Sequence, residues 1–189
     1  MSKMDPGRKG IAESVKDKMV GSIKGTGEIV NAVVDTVSGT LVTTIKDTGA
    51  VGTALTSTIS DVLRGAIMGT AQVGGDVGAA AKGGVVGVLK GTREVGAETI
   101  DTVSVSARTL VKSAAEVGGD LGTVARNAVE GAVSGAKQVG LNVEDAASAA
   151  ATGAIKGAGE ISQQAVQQVR NAMTGVIAGV KVVLKEPFK

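Results

Sequence analysis

From Pro6 to Pro187, the only two prolines of the chain, apolar residues recur every 11 residues in steps of 4, 4 and 3, and the phase never slips. The first position of this unit carries Val51, Val62, Val73, Val95, Val117, Val139 and Ile161. The fifth carries Leu55, Val77, Val88, Leu110, Leu121, Val143 and Val176, and the ninth Ile59, Val103, Val169 and Val180. Eleven residues in three turns lie close to the α-helical period, so the stripe stays on one side of a straight or slightly right-handed helix. Such a stripe needs a surface to cover it, either a core or a lipid.

A second period of 22 residues overlies the first. It runs from VGTALTSTISDVLRGAIMGTAQ (51–72) through VGGDVGAAAKGGVVGVLKGTRE (73–94) to VGLNVEDAASAAATGAIKGAGE (139–160). Units of this length lean on their neighbours or on another chain for burial. The loops of a helix-turn-helix array are expected as phase slips, prolines or polar clusters, and the register carries none of these. The pattern therefore predicts an all-α fold: one very long, nearly continuous amphipathic helix over residues 6–186, packed side by side with parallel copies in a homo-oligomer. Residues 1–5 form a flexible N-terminus and 187–189 a C-terminal tail. Asp5 before Pro6 suits a helix start and Pro187 a helix stop. About 180 residues at about 1.5 Å each give a rod near ~270 Å. Gly74-Gly75, Gly83-Gly84 and Gly118-Gly119 are the places open to a break.

Composition narrows the chemistry. One aromatic residue, Phe188, and no Trp, Tyr, Cys or His leave a core of Val, Ala, Ile and Leu and remove the usual nucleophile–base pairs and the commonest metal ligands. No catalytic residue, metal site or cofactor is expected. A net charge of +2 with interspersed signs, and no aromatic platform for bases, gives no reason to expect nucleic acid. No secretory signal is visible behind MSKMDPGRKG, and the uncharged stretches 48–60 and 171–180 fall short of the ~20 residues of a spanning helix. The 29 glycines each burden a helix by about 1 kcal/mol relative to Ala, so the contacts of the stripe must supply the missing stability.

Placed about 98° apart, the residues sort into four faces. Positions one, five and nine form the apolar edge. Opposite them lie Arg64, Lys82, Arg93, Arg108, Lys112, Glu116, Arg126, Lys156 and Glu160. One flank carries paired glycines four residues apart: Gly21/Gly25, Gly65/Gly69, Gly87/Gly91, Gly131/Gly135, Gly153/Gly157 and Gly175/Gly179. The other flank carries the bulky Leu63, Ile67, Leu89, Val133, Ile155 and Ile177 at the same heights. Small residues spaced by four allow close helix packing, so notch is expected to meet knob, with Ile67 of one chain beside Gly65 and Gly69 of the next. Bases favour one edge of the wet face and acids the other, an arrangement suited to neighbour-to-neighbour pairing.

The spacing Lys-x-x-x-Glu-[Val/Ile] recurs at Lys24–Ile29, Lys90–Val95, Lys112–Val117 and Lys156–Ile161. With the Val/Gly/Ala/Thr-rich 11-residue periodicity over residues 11–183, the chain resembles the lipid-binding repeats of synucleins and perilipins. That resemblance implies reversible binding of an extended helix to phospholipid membranes or lipid droplets, in the cytoplasm and peripherally at the membrane. Right-handed coiled coils share the same period.

Three functions follow as expectations. The first is a structural, self-assembling protein forming a filament, tube or coat from parallel helices, with an apolar face that holds lipid. The alternatives are a monomeric peripheral lipid binder that folds on lipid and a discrete right-handed bundle, the latter with a membrane-inserted form among its options. The partners implied are the chain itself and a lipid surface.

Overall fold

In the computed structural model, which describes residues 6–26, 28–49, 51–97 and 100–184, the chain reverses about once per repeat unit. The helices are α1 (Pro6–Thr26), α2 (Ile29–Thr48), α3 (Thr53–Gln72), α4 (Val77–Glu94), α5 (Ile100–Glu116), α6 (Leu121–Val139), α7 (Val143–Gly159) and α8 (Gln163–Ala172). A small antiparallel hairpin follows, β1 (Val176–Ile177) and β2 (Val180–Lys181), with Val176 opposite Lys181. The N-terminus 1–5 with its Asp5 cap, and the tail 187–189 with Pro187, lie outside the described residues.

The continuous helix expected over 6–186 is therefore wrong, and the reason is written in the turns. At Val73-Gly74-Gly75-Asp76, Gly74 adopts φ 69°, a left-handed value that costs an L side chain about 1–2 kcal/mol. Its neighbour Gly75 donates back to the Thr70 carbonyl at 2.9 Å, and the Asp76 carboxylate accepts from the Ala79 N–H at 3.1 Å. A left-handed glycine thus closes one helix and an acidic cap opens the next. The device repeats at Gly118 (φ 73°) with Asp120 accepting from Thr123 N at 2.8 Å. It repeats again at Gly140 (φ 79°) with Asn142 accepting from Asp145 N at 2.9 Å. Gly74-Gly75 and Gly118-Gly119 are real breaks, whereas Gly83-Gly84 lies inside α4.

The helices form two layers. The odd-numbered helices α1, α3, α5 and α7 lie side by side in one, and α2, α4, α6 and α8 in the other. Within a layer each helix runs parallel to the one two places earlier, because contacts advance together along both. In α4, Gly83, Gly87 and Gly91 abut Val30, Val34 and Ser38 of α2, and in α7, Gly153 and Gly157 abut Ser104 and Arg108 of α5. This is a short helical solenoid, with each unit leaning on its neighbours. The apolar edge faces the other layer: Val62, Ala66, Val88, Val103, Leu110, Ala132 and Ala154 are all fully buried. The flanks meet adjacent helices of the same layer, and the charged face is turned to water. The homo-oligomer of parallel helices is thereby replaced by parallel helices of a single chain.

A Cβ on Gly83 would stand 2.6 Å from the Val30 carbonyl oxygen and one on Gly157 2.6 Å from that of Arg108, while one on Gly39 meets nothing within 4 Å. Gly83→Ala and Gly157→Ala should each lower unfolding free energy by about 1–3 kcal/mol through overpacking. Gly39→Ala should leave it unchanged or raise it by up to about 1 kcal/mol. Urea titrations of the three variants check this, and equal losses in all three would refute the packing role.

Candidate functional surface

Between helix n and helix n+2, glycine notches lie close against the neighbour's backbone and inner side chains. Gly65 and Gly69 of α3 rest on Ala12, Val15, Lys16 and Met19 of α1. Gly131 of α6 stands over the Lys82 backbone of α4, and the notch at Gly135 takes the Leu89 side chain, with Cδ1 2.6 Å from where a Cβ would be. These notches face back towards helix n−2, and Leu63, Ile67, Leu89, Val133 and Ile155 are buried. A second set of small residues faces the opposite way: Gly78 of α4 meets Thr123 and Asn127 of α6, and Gly122 of α6 meets Gln168 and Ala172 of α8.

The remaining sequence-predicted residues divide cleanly. Val51 and Ile161, at the turns, are exposed, as is Val176 in the hairpin, while Val73, Val77, Val95, Val117, Val143, Val180 and Leu55 are half-buried. Ile59, Leu121, Val139 and Val169 are buried. Gly175 and Gly179 are not helix-packing residues here; they sit at φ 95° and 83° around the hairpin with open space beside them. Gly21 also faces open space, and the surroundings of Gly25 lie outside the described residues. Ile177 is buried, but in β1 rather than on a helix flank.

The charges on the outer face follow the same direction. Lys46 of α2 pairs with Glu94 of α4 at 3.5 Å, Arg64 of α3 with Glu116 of α5 at 3.0 Å, and Lys82 of α4 with Glu130 of α6 at 3.7 Å. Glu160, capping α7, receives Lys112 at 2.6 Å and also pairs with Arg108, both on α5. In each of these inter-helix pairs the base belongs to helix n and the acid to helix n+2, one or two helical turns beyond two full repeats. Arg93 and Arg126 extend the pattern by donating to the Gln138 and Ala172 carbonyls at 2.7 and 3.4 Å, where helix ends leave acceptors open. Sequence reasoning found the two charged edges but not these partners, because the pairing spacing depends on where the chain turns.

Among the described residues no group of three or more acidic residues is placed to hold a metal ion, and no helix is long and apolar enough to cross a membrane. Among the described residues two grooves lie between helices of the odd layer, one between α3 and α5 beside Thr56, Ile59, Asp101 and Val105 and another between α5 and α7 beside Asp101, Ser104, Asp145, Ser148 and Thr152. What the surface offers is a set of helix faces and two array ends. The chain matches no model of a known protein family and no curated protein.

The Glu160 carboxyl is held below its ordinary value, chiefly by the Lys112 hydrogen bond and then by Arg108, against an opposing effect of burial. A depressed carboxylate pKa stabilises the fold above its unfolded value, about 4.3, and that stabilisation is lost as pH falls through the folded value. Thermal melts between pH 7 and pH 3 should therefore show a smaller acid-induced drop for Glu160→Gln than for wild type. Parallel curves would show that the α5–α7 pairing does not contribute.

Proposed function

We propose that this chain is a structural repeat protein that self-associates end to end, adding further helices to both layers and growing into filaments. The observation that carries this reading is the polarity of the lateral contact. Helix n presents most of its packing glycines and its acids towards helix n−2, and its bases towards helix n+2, so the two ends of the array are complementary rather than alike.

At the α1/α2 end, Gly21 and Gly39 face open space at the repeat positions where Gly65 and Gly83 receive a neighbouring helix. Glu28, exposed and accepting from the Asn31 amide at 2.6 Å, stands where Glu116 and Glu160 stand in later units. At the other end Lys156, also exposed, occupies the position that Lys112 uses to hold Glu160. Stacking the α1 face of one copy on the α7 face of another extends the internal contact with Lys156 towards Glu28. An interface joining two different surfaces does not close on itself, and it propagates into fibres unless rotation closes a ring.

Lipid association, the other expectation, would require the two layers to part, since Val62, Val88, Val103 and Leu110 lie in the interior. End-to-end growth needs no such opening. Sedimentation velocity over a wide concentration range should show mass rising past dimer without a plateau, weakened by salt. Gly21→Arg combined with Gly39→Glu should keep the chain monomeric with an unchanged melting temperature, because both positions are open. A monomeric wild type at all concentrations that becomes bound and more helical on anionic phosphatidylserine vesicles would reverse the choice in favour of lipid.

A further inference from the structure

The last stretch of chain keeps the helical repeat in its sequence and departs from it in its fold. Residues 161–182 align with the earlier units: Met173 and Ile177 fall on the knob positions of Leu63 and Ile67, and Gly175 and Gly179 on the notch positions of Gly65 and Gly69. Met173, Val176, Ile177 and Val180 are spaced i, i+3, i+4 and i+7, as on one face of a helix. Yet α8 stops at 10 residues, whereas the seven helices before it run 17 to 21.

The hairpin fits this sequence poorly. At the position of Val176, the equivalents Ala66, Val88, Leu110, Ala132 and Ala154 are each 0% exposed, while Val176 is 59% exposed. The two-residue connection Ala178-Gly179 has φ 51° and 83°, the geometry for which Asn-Gly or Gly-Gly is strongly preferred. Ala178 is the only non-glycine residue with positive φ among the described residues. The hairpin is held by α6 and α7: β1 packs on α6 with Ile177 fully buried, the Ser148 hydroxyl of α7 donates to the Val183 carbonyl at 2.9 Å, and Val182 and Leu184 pack partly buried on the core. That place on α7 is where the next odd-layer helix would lie. Gly153 of α7 rests on Ser104 of α5, and Ser148 of α7 is the equivalent of Ser104 two repeat units later.

We propose that residues 173–184 are a conformational cap: a hairpin over α7 in the isolated chain, and a continuation of α8 along α6 once α1 of a second copy takes the α7 surface. The stacking half of this proposal rests on the end-to-end reading above; the existence of the helical form does not. As helix, the segment buries Val176 with its equivalents, restores Ala178 to ordinary φ and returns Gly175 and Gly179 to the notched flank. The hairpin is thus a reversible stop on filament growth.

Position 178 lies on the outer side of the helical repeat, where its equivalents Lys90, Lys112 and Lys156 are exposed and Met68 and Ser134 half-buried, so it tests the balance with little effect on the packing. Ala178→Asn makes an Asn-Gly turn and should favour the hairpin, while Ala178→Val places a β-branched residue where positive φ is most costly and should favour helix. Backbone NMR shifts of dilute monomer should be extended over 176–181 in wild type and Ala178→Asn, and helical over 173–181 in Ala178→Val. Self-association should tighten about tenfold in Ala178→Val. A Ser148→Cys/Val183→Cys disulfide should hold the chain monomeric until reduced. Coil or hairpin shifts in Ala178→Val would overturn the helical form. Helical shifts with no gain in association over an associating wild type would overturn the coupling to stacking. If neither form associates at any concentration, the end-to-end reading fails while the shifts still decide the fold of the segment.

Discussion

The architecture depends on a glycine of one helix lying directly against the backbone of the helix two places earlier. Glycine inside a helix costs about 1 kcal/mol relative to Ala, and α4 carries five, of which Gly83, Gly87 and Gly91 lie against α2. The cost is offset because removing the side chain brings two backbones within contact, multiplying small dispersion gains along the whole helix. The spacing this sets leaves little room between the layers, which explains a core made of Val and Ala with a few Leu, Ile and Met. It also brings the outer charged edges of neighbouring helices within reach of each other. Exposed ion pairs contribute only about 0.2–1 kcal/mol each, so Arg64–Glu116 and its counterparts act more on register than on stability.

Because the contact has a direction, so does the molecule. Most packing glycines and the acids look back along the array, and the bases look forward. A globular domain whose repeats met symmetrically would finish with two similar ends. Here the α1/α2 end retains unfilled notches at Gly21 and Gly39, and the α7 end lies under the hairpin. The difference between the ends comes from the internal packing rule and does not need a dedicated binding site.

The all-helical class and the opposition of an apolar edge to a charged face are legible in the sequence because they depend on helical geometry alone, whereas the partner of the glycine flank is not: it is chiefly the backbone of the helix two places earlier rather than a bulky flank. The reversals are not legible either, for a specific arithmetic reason. A unit of 17 to 20 helical residues plus a turn adds up to two 11-residue periods, so a folded array keeps the same unbroken phase as an uninterrupted helix. The absence of a phase slip therefore carried no information about turns. The discriminating signal was local: Gly74-Gly75-Asp76, Gly118-Gly119-Asp120 and Gly140-Leu141-Asn142 each place a left-handed glycine two residues before a capping side chain. The two prolines stand near the chain ends, while the stops inside the array are made by glycine, which leaves no gap in hydrophobicity. The hairpin was invisible because residues 173–182 still spell a helix.

The same-layer rule has a consequence for how such a chain forms and how it varies. Each helix finds its principal partner about two units away along the chain, so no essential contact spans the full length of the molecule. Loop closure is correspondingly inexpensive, and structure can spread from any adjacent trio of helices outward. Duplicating a pair of units would lengthen both layers by one helix without asking any existing side chain to change. Length is therefore a freely adjustable property of this architecture, and the number of repeats sets the dimension of the particle while its cross-section stays the same.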